Sequence, residues 1–188
     1  MKRLAARLAI AFMEHTARWR PDTRARLARW LGNLLWLLAA PRRRVTLVNL
    51  KLCFPELTEA QRAALGRRTF HNIARALIDH GVLATVSREG LDRFVRVDGA
   101  RHLTDPANQP LILIAPHFVG LDAGGLAFAT MTRPVSIYAR SRNPEWDRWL
   151  LQIRGRFNAP LLIQREGFDL RAVDRKSTRL NSSHEWIS

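Results

Sequence analysis

The sequence predicts an α/β fold, a largely parallel sheet flanked by helices and preceded by an N-terminal membrane-associated helical segment. Three observations predict it. Three apolar runs are short enough to be strands: Leu111–Ala115, Val135–Ala139 and Leu161–Ile163. Helical patterns separate them. The strand candidates recur at about 25-residue intervals, the rhythm of βαβ units. The 188 residues suit one domain, and a hydrophobic content of 47% can fill its core.

The elements follow in order. Residues 1–51 carry two apolar segments, Leu8 to Met13 and Leu27 to Ala40, the second with Trp30 and Trp36. The same stretch holds twelve basic residues and only Glu14 and Asp22 as acids, so it supplies +10 of the formal net charge of +15. Basic residues beside a Trp/Leu-rich face suggest helices lying in a membrane interface. The run Leu34–Ala40 is short against the roughly 20 apolar residues of a spanning helix. Arg42-Arg43-Arg44 follows that late run, which argues against a cleaved signal peptide. The other reading is a basic amphipathic helical pair packed on the domain itself.

Thr58-Glu59-Ala60-Gln61 is a capping box, and Leu65, Thr69, Ile73 and Leu77 make one helical stripe after it. A helix of about 25 residues is expected there. His71 and His80 lie on it and read as surface or packing histidines. Phe94–Val97, ended by Asp98-Gly99, reads as a short strand and turn. Leu121–Ala129 reads as a helix. Asn143 as N-cap, Pro144 at the first helical position and Glu145 in the first turn open another. Trp146, Trp149, Leu150, Ile153 and Phe157 then recur at helical spacing and read as core.

The single Cys53 rules out a disulfide framework and any Cys-rich zinc site. The positive balance implies an anionic partner, which could be a nucleic acid, acidic lipid headgroups or an acidic protein. No helix-turn-helix, zinc or RNA-binding signature appears, so nucleic acid is not the expected partner.

Chemistry concentrates at His117-Phe118-Val119-Gly120-Leu121-Asp122. A histidine and a carboxylate stand five positions apart at the turn between a predicted strand and a predicted helix. Such turns at the carboxyl edge of a sheet are where α/β proteins place their chemistry. The carboxylate can accept from one ring nitrogen and leave the other to take a proton. With 6 His and 16 acids in the chain, about 0.5 such spacings arise by chance. A loop histidine capping a helix is therefore the alternative at this point.

Further segments carry a family likeness. They are Arg42-Arg43-Arg44 leading to Asn49-Leu50-Lys51-Leu52-Cys53-Phe54-Pro55-Glu56, then Val97-Asp98-Gly99, the His117–Asp122 pair, and Ala139-Arg140 with Asn143-Pro144. In this order the chain resembles the bacterial lipid A biosynthesis acyltransferases of the lysophospholipid acyltransferase superfamily, from about residue 20 to about residue 174. The resemblance implies transfer of a fatty acyl chain from acyl carrier protein to a hydroxyl of a lipid A precursor, an anionic glycolipid, at the cytoplasmic face of the bacterial inner membrane. It implies His117 as general base and Asp122 as the group that orients it. Arg140 is the expected binder of an anionic substrate group, with Arg154 and Arg156 as further candidates. No metal or dissociable cofactor is implied. Other acceptors within the superfamily are a lysophospholipid or a glycosylated phosphatidylinositol, and a non-catalytic membrane-surface fragment is the remaining alternative.

Three regions are expected: membrane-anchoring helices at 1–44, the N-terminal part of a catalytic domain at 45–174, and a tail at 175–188. The tail lacks periodicity and resembles translated vector sequence. Family members continue for roughly another hundred residues, so the fold is expected to be incomplete at its C-terminus and the fragment inactive or poorly folded.

Overall fold

The computed structural model describes residues 2–108, 111–158 and 160–165. The predicted tail from Arg175 lies outside the described residues. Helices dominate, and their starts follow local signals. After α1 (Lys2–Thr16), Pro21 opens α2 (Pro21–Leu38), where a missing N–H costs nothing. Pro41 sits in the first turn of α3 (Ala40–Cys53). α4 (Glu59–Thr85) runs for 27 residues from the predicted capping box. The Thr58 N–H donates to Gln61 Oε1 at 2.8 Å, and the Gln61 N–H donates to Thr58 Oγ at 3.3 Å. Both orphan donors of the helix start are thereby satisfied.

α4 is the spine of the molecule. α2 lies along it through Trp36, packed edge-on against Phe70 at 5.2 Å, and through buried Ala28, Ala74 and Ile78. Arg24 of α2 is buried and donates to the Ala17 and Trp19 carbonyls beyond the end of α1. Arg43 of α3 lies over the Trp36 ring at 5.7 Å and donates to the Trp36 carbonyl at 2.8 Å. A second cluster forms around the far end of α4. Its members are Met13 of α1, Leu83 of α4, Leu91 of α5 (Arg88–Phe94), Leu126 and Ala127 of α7 (Leu121–Met131), and Trp149 and Ile153 of α8 (Pro144–Arg154). Fully burying one such large apolar side chain contributes about 1.5–3 kcal/mol.

The later elements are α6 (Arg101–Thr104), α7 (Leu121–Met131), β1 (Val135–Tyr138), α8 (Pro144–Arg154) and β2 (Leu161–Gln164). β1 and β2 pair in parallel, Val135 opposite Leu161 through Tyr138 opposite Gln164, with α8 as the crossover. Asn143 caps α8 as predicted, accepting from the Glu145 and Trp146 N–H groups at 3.0 and 3.4 Å.

Two of the expected strands are absent, so the described chain is mostly helical with a two-stranded parallel sheet. Leu111–Ala115 forms no strand, and Ile112 and Ile114 are 90% and 88% exposed. An apolar run supplies the side chains of a strand, but only a neighbouring strand satisfies its backbone. None of the described residues pairs with it. Phe94, expected to start a strand, instead closes α5. Ser87 caps that helix by accepting from the Gly90 N–H, and Leu91 fixes it in the core at 0% exposure.

No described helix is long and apolar enough to cross a membrane. The expected boundary at 44 falls inside α3. α1 and α2 both pack on α4, while leaving Leu4, Leu8, Phe12, Trp30, Leu37 and Leu38 exposed.

Candidate active site

The loop 111–120 delivers His117 to the start of α7. Gly120 precedes that helix with φ +92°, a left-handed conformation that a side chain would resist. The chain reverses tightly there, the Leu121 N–H donating to the Phe118 carbonyl and the Ala123 N–H to the Gly120 carbonyl. Asp122 falls in the first turn of α7, where the helix dipole favours a negative charge.

Asp122 is held from two other helices. Its Oδ2 accepts from His80 Nε2 of α4 at 3.0 Å, and its Oδ1 accepts from Arg154 Nε of α8 at 2.8 Å. The His80 Nδ1 faces the Ala76 carbonyl at 2.7 Å. Both ring nitrogens thus face oxygen acceptors, an arrangement that only the imidazolium, with two N–H donors, satisfies fully. Trp146 and Trp149 flank the ring, with centroids at 6.5 and 6.2 Å. Trp149 is fixed by its own hydrogen bond to Glu14 of α1, at 2.7 Å.

The electrostatics follow from this geometry. Burial opposes the charge on Asp122, but hydrogen bonds from His80 and Arg154 and their positive charges outweigh it and hold the carboxyl at about 2. Burial also opposes protonation of His80, yet the bond to Asp122, the Ala76 carbonyl and the Asp122 charge raise its pKa above the ordinary 6.5. The signs differ for stability. Asp122 stabilises the fold above its ordinary 3.8 and loses that contribution as pH falls towards 2. His80 contributes fully below 6.5 and loses its contribution as pH rises through its raised value.

The predicted site residues are placed as follows. His117 is exposed on the loop and makes no hydrogen bond to Asp122, whose two oxygens meet His80 and Arg154. Arg140, two residues beyond β1, is exposed, with Nε 3.7 Å from Asp147 Oδ2. Arg154 binds Asp122 rather than standing open to a ligand. Arg156 donates to the Leu83 and Val86 carbonyls at 2.6 and 2.7 Å. It thus covers carbonyls at the C-terminal end of α4, a helix-ending role. His80, read from the sequence as a surface or packing histidine, is the residue that reasoning missed. Its partner lies 42 positions away, and no local pattern marks it.

Comparison with known proteins places the chain in a family. The family model for bacterial lipid A biosynthesis acyltransferase matches residues 3–176. A lipid A biosynthesis acyltransferase of Haemophilus influenzae is 30% identical over 164 residues, covering 85% of this chain and 49% of the relative. The lipid A biosynthesis lauroyltransferase of Escherichia coli is 29% identical over 127 residues, 66% of this chain and 41% of the relative. The lipid A biosynthesis myristoyltransferase of the same organism is 27% identical over 163 residues, 85% of this chain and 50% of the relative. The chain spans about half the length of the curated relatives it matches. No solved structure matches it. The chain belongs to the bacterial lipid A biosynthesis acyltransferase family.

Proposed function

We propose that the protein transfers a fatty acyl chain from an acyl carrier protein thioester to a hydroxyl of a lipid A precursor, with His117 as general base and Asp122 as its orienting carboxylate. The observation that carries this reading is Asp122. It is an ionised carboxylate fixed at a helix start, five residues after a histidine on an open loop, in a chain of this family. Each carboxylate oxygen has a second lone pair, so Asp122 can accept from His117 while its two cations stay in place.

The chemistry needs no protein nucleophile. The His117 ring takes the proton of the acceptor hydroxyl as its oxygen attacks the thioester carbonyl. The tetrahedral intermediate collapses to an ester and a thiolate, which recovers the proton from the imidazolium. Arg140, exposed after β1, is the candidate to bind an anionic group of the acceptor. The test is an assay of the intact gene product with acyl carrier protein thioesters and a lipid A precursor. Acyl ester formation is expected. Thioester consumption without an acylated precursor would reject the acceptor.

The N-terminal helices suit the anionic leaflet at which such an acceptor sits. Leu4, Leu8 and Phe12 recur every four residues on α1 and are all exposed, among the arginines of the same region. A stripe of this kind lies in the interface rather than across the bilayer. Sedimentation with vesicles rich in phosphatidylglycerol should pull the protein down, and Leu8→Glu with Phe12→Glu should release it. Equal binding by that double variant would remove α1 from the membrane contact.

A further inference from the structure

Two groups outside the proposed dyad converge on Asp122, and the dyad chemistry does not explain them. His80 comes from α4, 42 positions before Asp122. Arg154 comes from α8, 32 positions after it. The two tryptophans beside His80 are also on α8. A surface carboxylate needs none of this. Its partner side chains are only 16% and 32% exposed, and it is itself 23% exposed, so the pairing is largely shielded from water.

We propose that His80 and Arg154 form a two-point clamp that positions the Asp122 carboxylate for His117, with His80 serving as a fixed imidazolium donor. The proposal rests on the dyad reading above. Geometry gives each part its task. Arg154 sets one carboxylate oxygen from α8, and His80 sets the other from α4, so the carboxylate plane is fixed relative to both helices. The Ala76 carbonyl holds the far nitrogen of His80 and prevents the ring from turning. Trp146 and Trp149 of α8 lie beside the ring, with centroids at 6.5 and 6.2 Å. The charged groups facing His80 are Asp122 from α7 and Arg154 from α8. Glu14 of α1 is engaged with the Trp149 indole instead.

His80 is thus a positioning residue, and its loss has consequences that a packing role would not produce. In the intact gene product, His80→Ala should lower kcat about 10–100-fold, the scale of a misplaced reacting group. KM should change little. His80→Gln, which can still donate to Asp122, should recover most of that loss. Both variants remove a positive charge next to the dyad. The acidic limb of the pH–rate profile should therefore move to higher pH. Ring-carbon NMR provides an arm free of activity: His80 should remain protonated at pH 7 in the wild type and become neutral there in Asp122→Asn. Loss of transfer in His117→Ala with an unchanged rate and acidic limb in His80→Ala would overturn the clamp alone. A neutral His80 at pH 7 in the wild type would do the same. Full transfer by His117→Ala would instead reject the dyad on which the clamp depends.

Discussion

Gly81→Ala is expected to destabilise the chain, although it adds only one methyl group and favours the helix. α1 crosses α4 at Gly81. A β-carbon there would overlap the Met13 carbonyl oxygen and carbon. Those are backbone atoms of a helix and cannot swing aside. The helices would have to part by more than about 1 Å, and close-packed interiors do not yield that distance without loss. Met13 would leave the core cluster, and the Glu14 bond to Trp149 would stretch. Overpacking of this kind costs about 1–3 kcal/mol, occasionally more. Alanine's better helix propensity returns only about 1 kcal/mol. A net loss of up to about 2 kcal/mol in unfolding free energy is expected, read as a lower denaturant midpoint. Gly125→Ala on α7 is the control, since nothing lies within 4 Å of a β-carbon there. The same substitution should leave stability unchanged or raise it slightly. An unaltered midpoint for Gly81→Ala would mean that α1 does not dock on α4 this closely in solution.

Gly81 adjoins His80, so this crossing also sets the height of the clamp on the Asp122 carboxylate. The two features differ in how far the sequence could reveal them. Helix starts were legible because a cap is a local transaction. Thr58 with Gln61, and Asn143 with the next residues, sit within three positions of their partners. The pairing of Val135–Tyr138 with Leu161–Gln164 was legible for a related reason, since a short helical crossover brings such runs together in parallel. Leu111–Ala115 carries an equally apolar pattern and forms no strand. Pattern determines which faces want burial, whereas strand formation also needs a backbone partner, and that partner is not written in the run itself.

The site divides along the same line. Asp122 could be proposed from the sequence because it follows His117 at short range in a recognisable family order. His80 was not found, because it takes its meaning from an element 42 residues later. Arg154 was found as a cation but assigned outward, towards a ligand. Its guanidinium turns inward because an ionised carboxylate at the start of α7 lies 2.8 Å away. An isolated buried carboxylate would be costly. Among the arginines of the N-terminal helices, Arg24 likewise turns inward, buried with its Nε 3.6 Å from Asp79 of α4, a partner no local pattern marks.

Replacing His117 by alanine should have the largest effect on transfer. A general base in the rate-limiting transition state contributes about 10²–10⁴-fold, and His117→Ala should lower kcat by that range in the intact gene product. The fold should not notice, since the His117 side chain is exposed and joins no buried cluster. Equal thermal midpoints for variant and wild type are therefore part of the expectation. Asp122→Asn keeps the side-chain shape but removes the charge that stabilises the imidazolium as it forms. Its loss should fall within the same range, with the double variant little worse than either single one, because groups that act as a unit are strongly non-additive. Asp122→Asn should differ in stability. It leaves Arg154 and His80 without their anion, in a setting where Asp122 alone is held at about 2 rather than 3.8. That displacement corresponds to about 2 kcal/mol of folding free energy near neutral pH. A kinetic loss shared by both variants, with a stability loss confined to Asp122→Asn, is the joint result that assigns proton transfer to the loop and support to the clamp. Wild-type transfer by His117→Ala would break that assignment at its first step and leave His80, the other histidine at Asp122, as the group to examine.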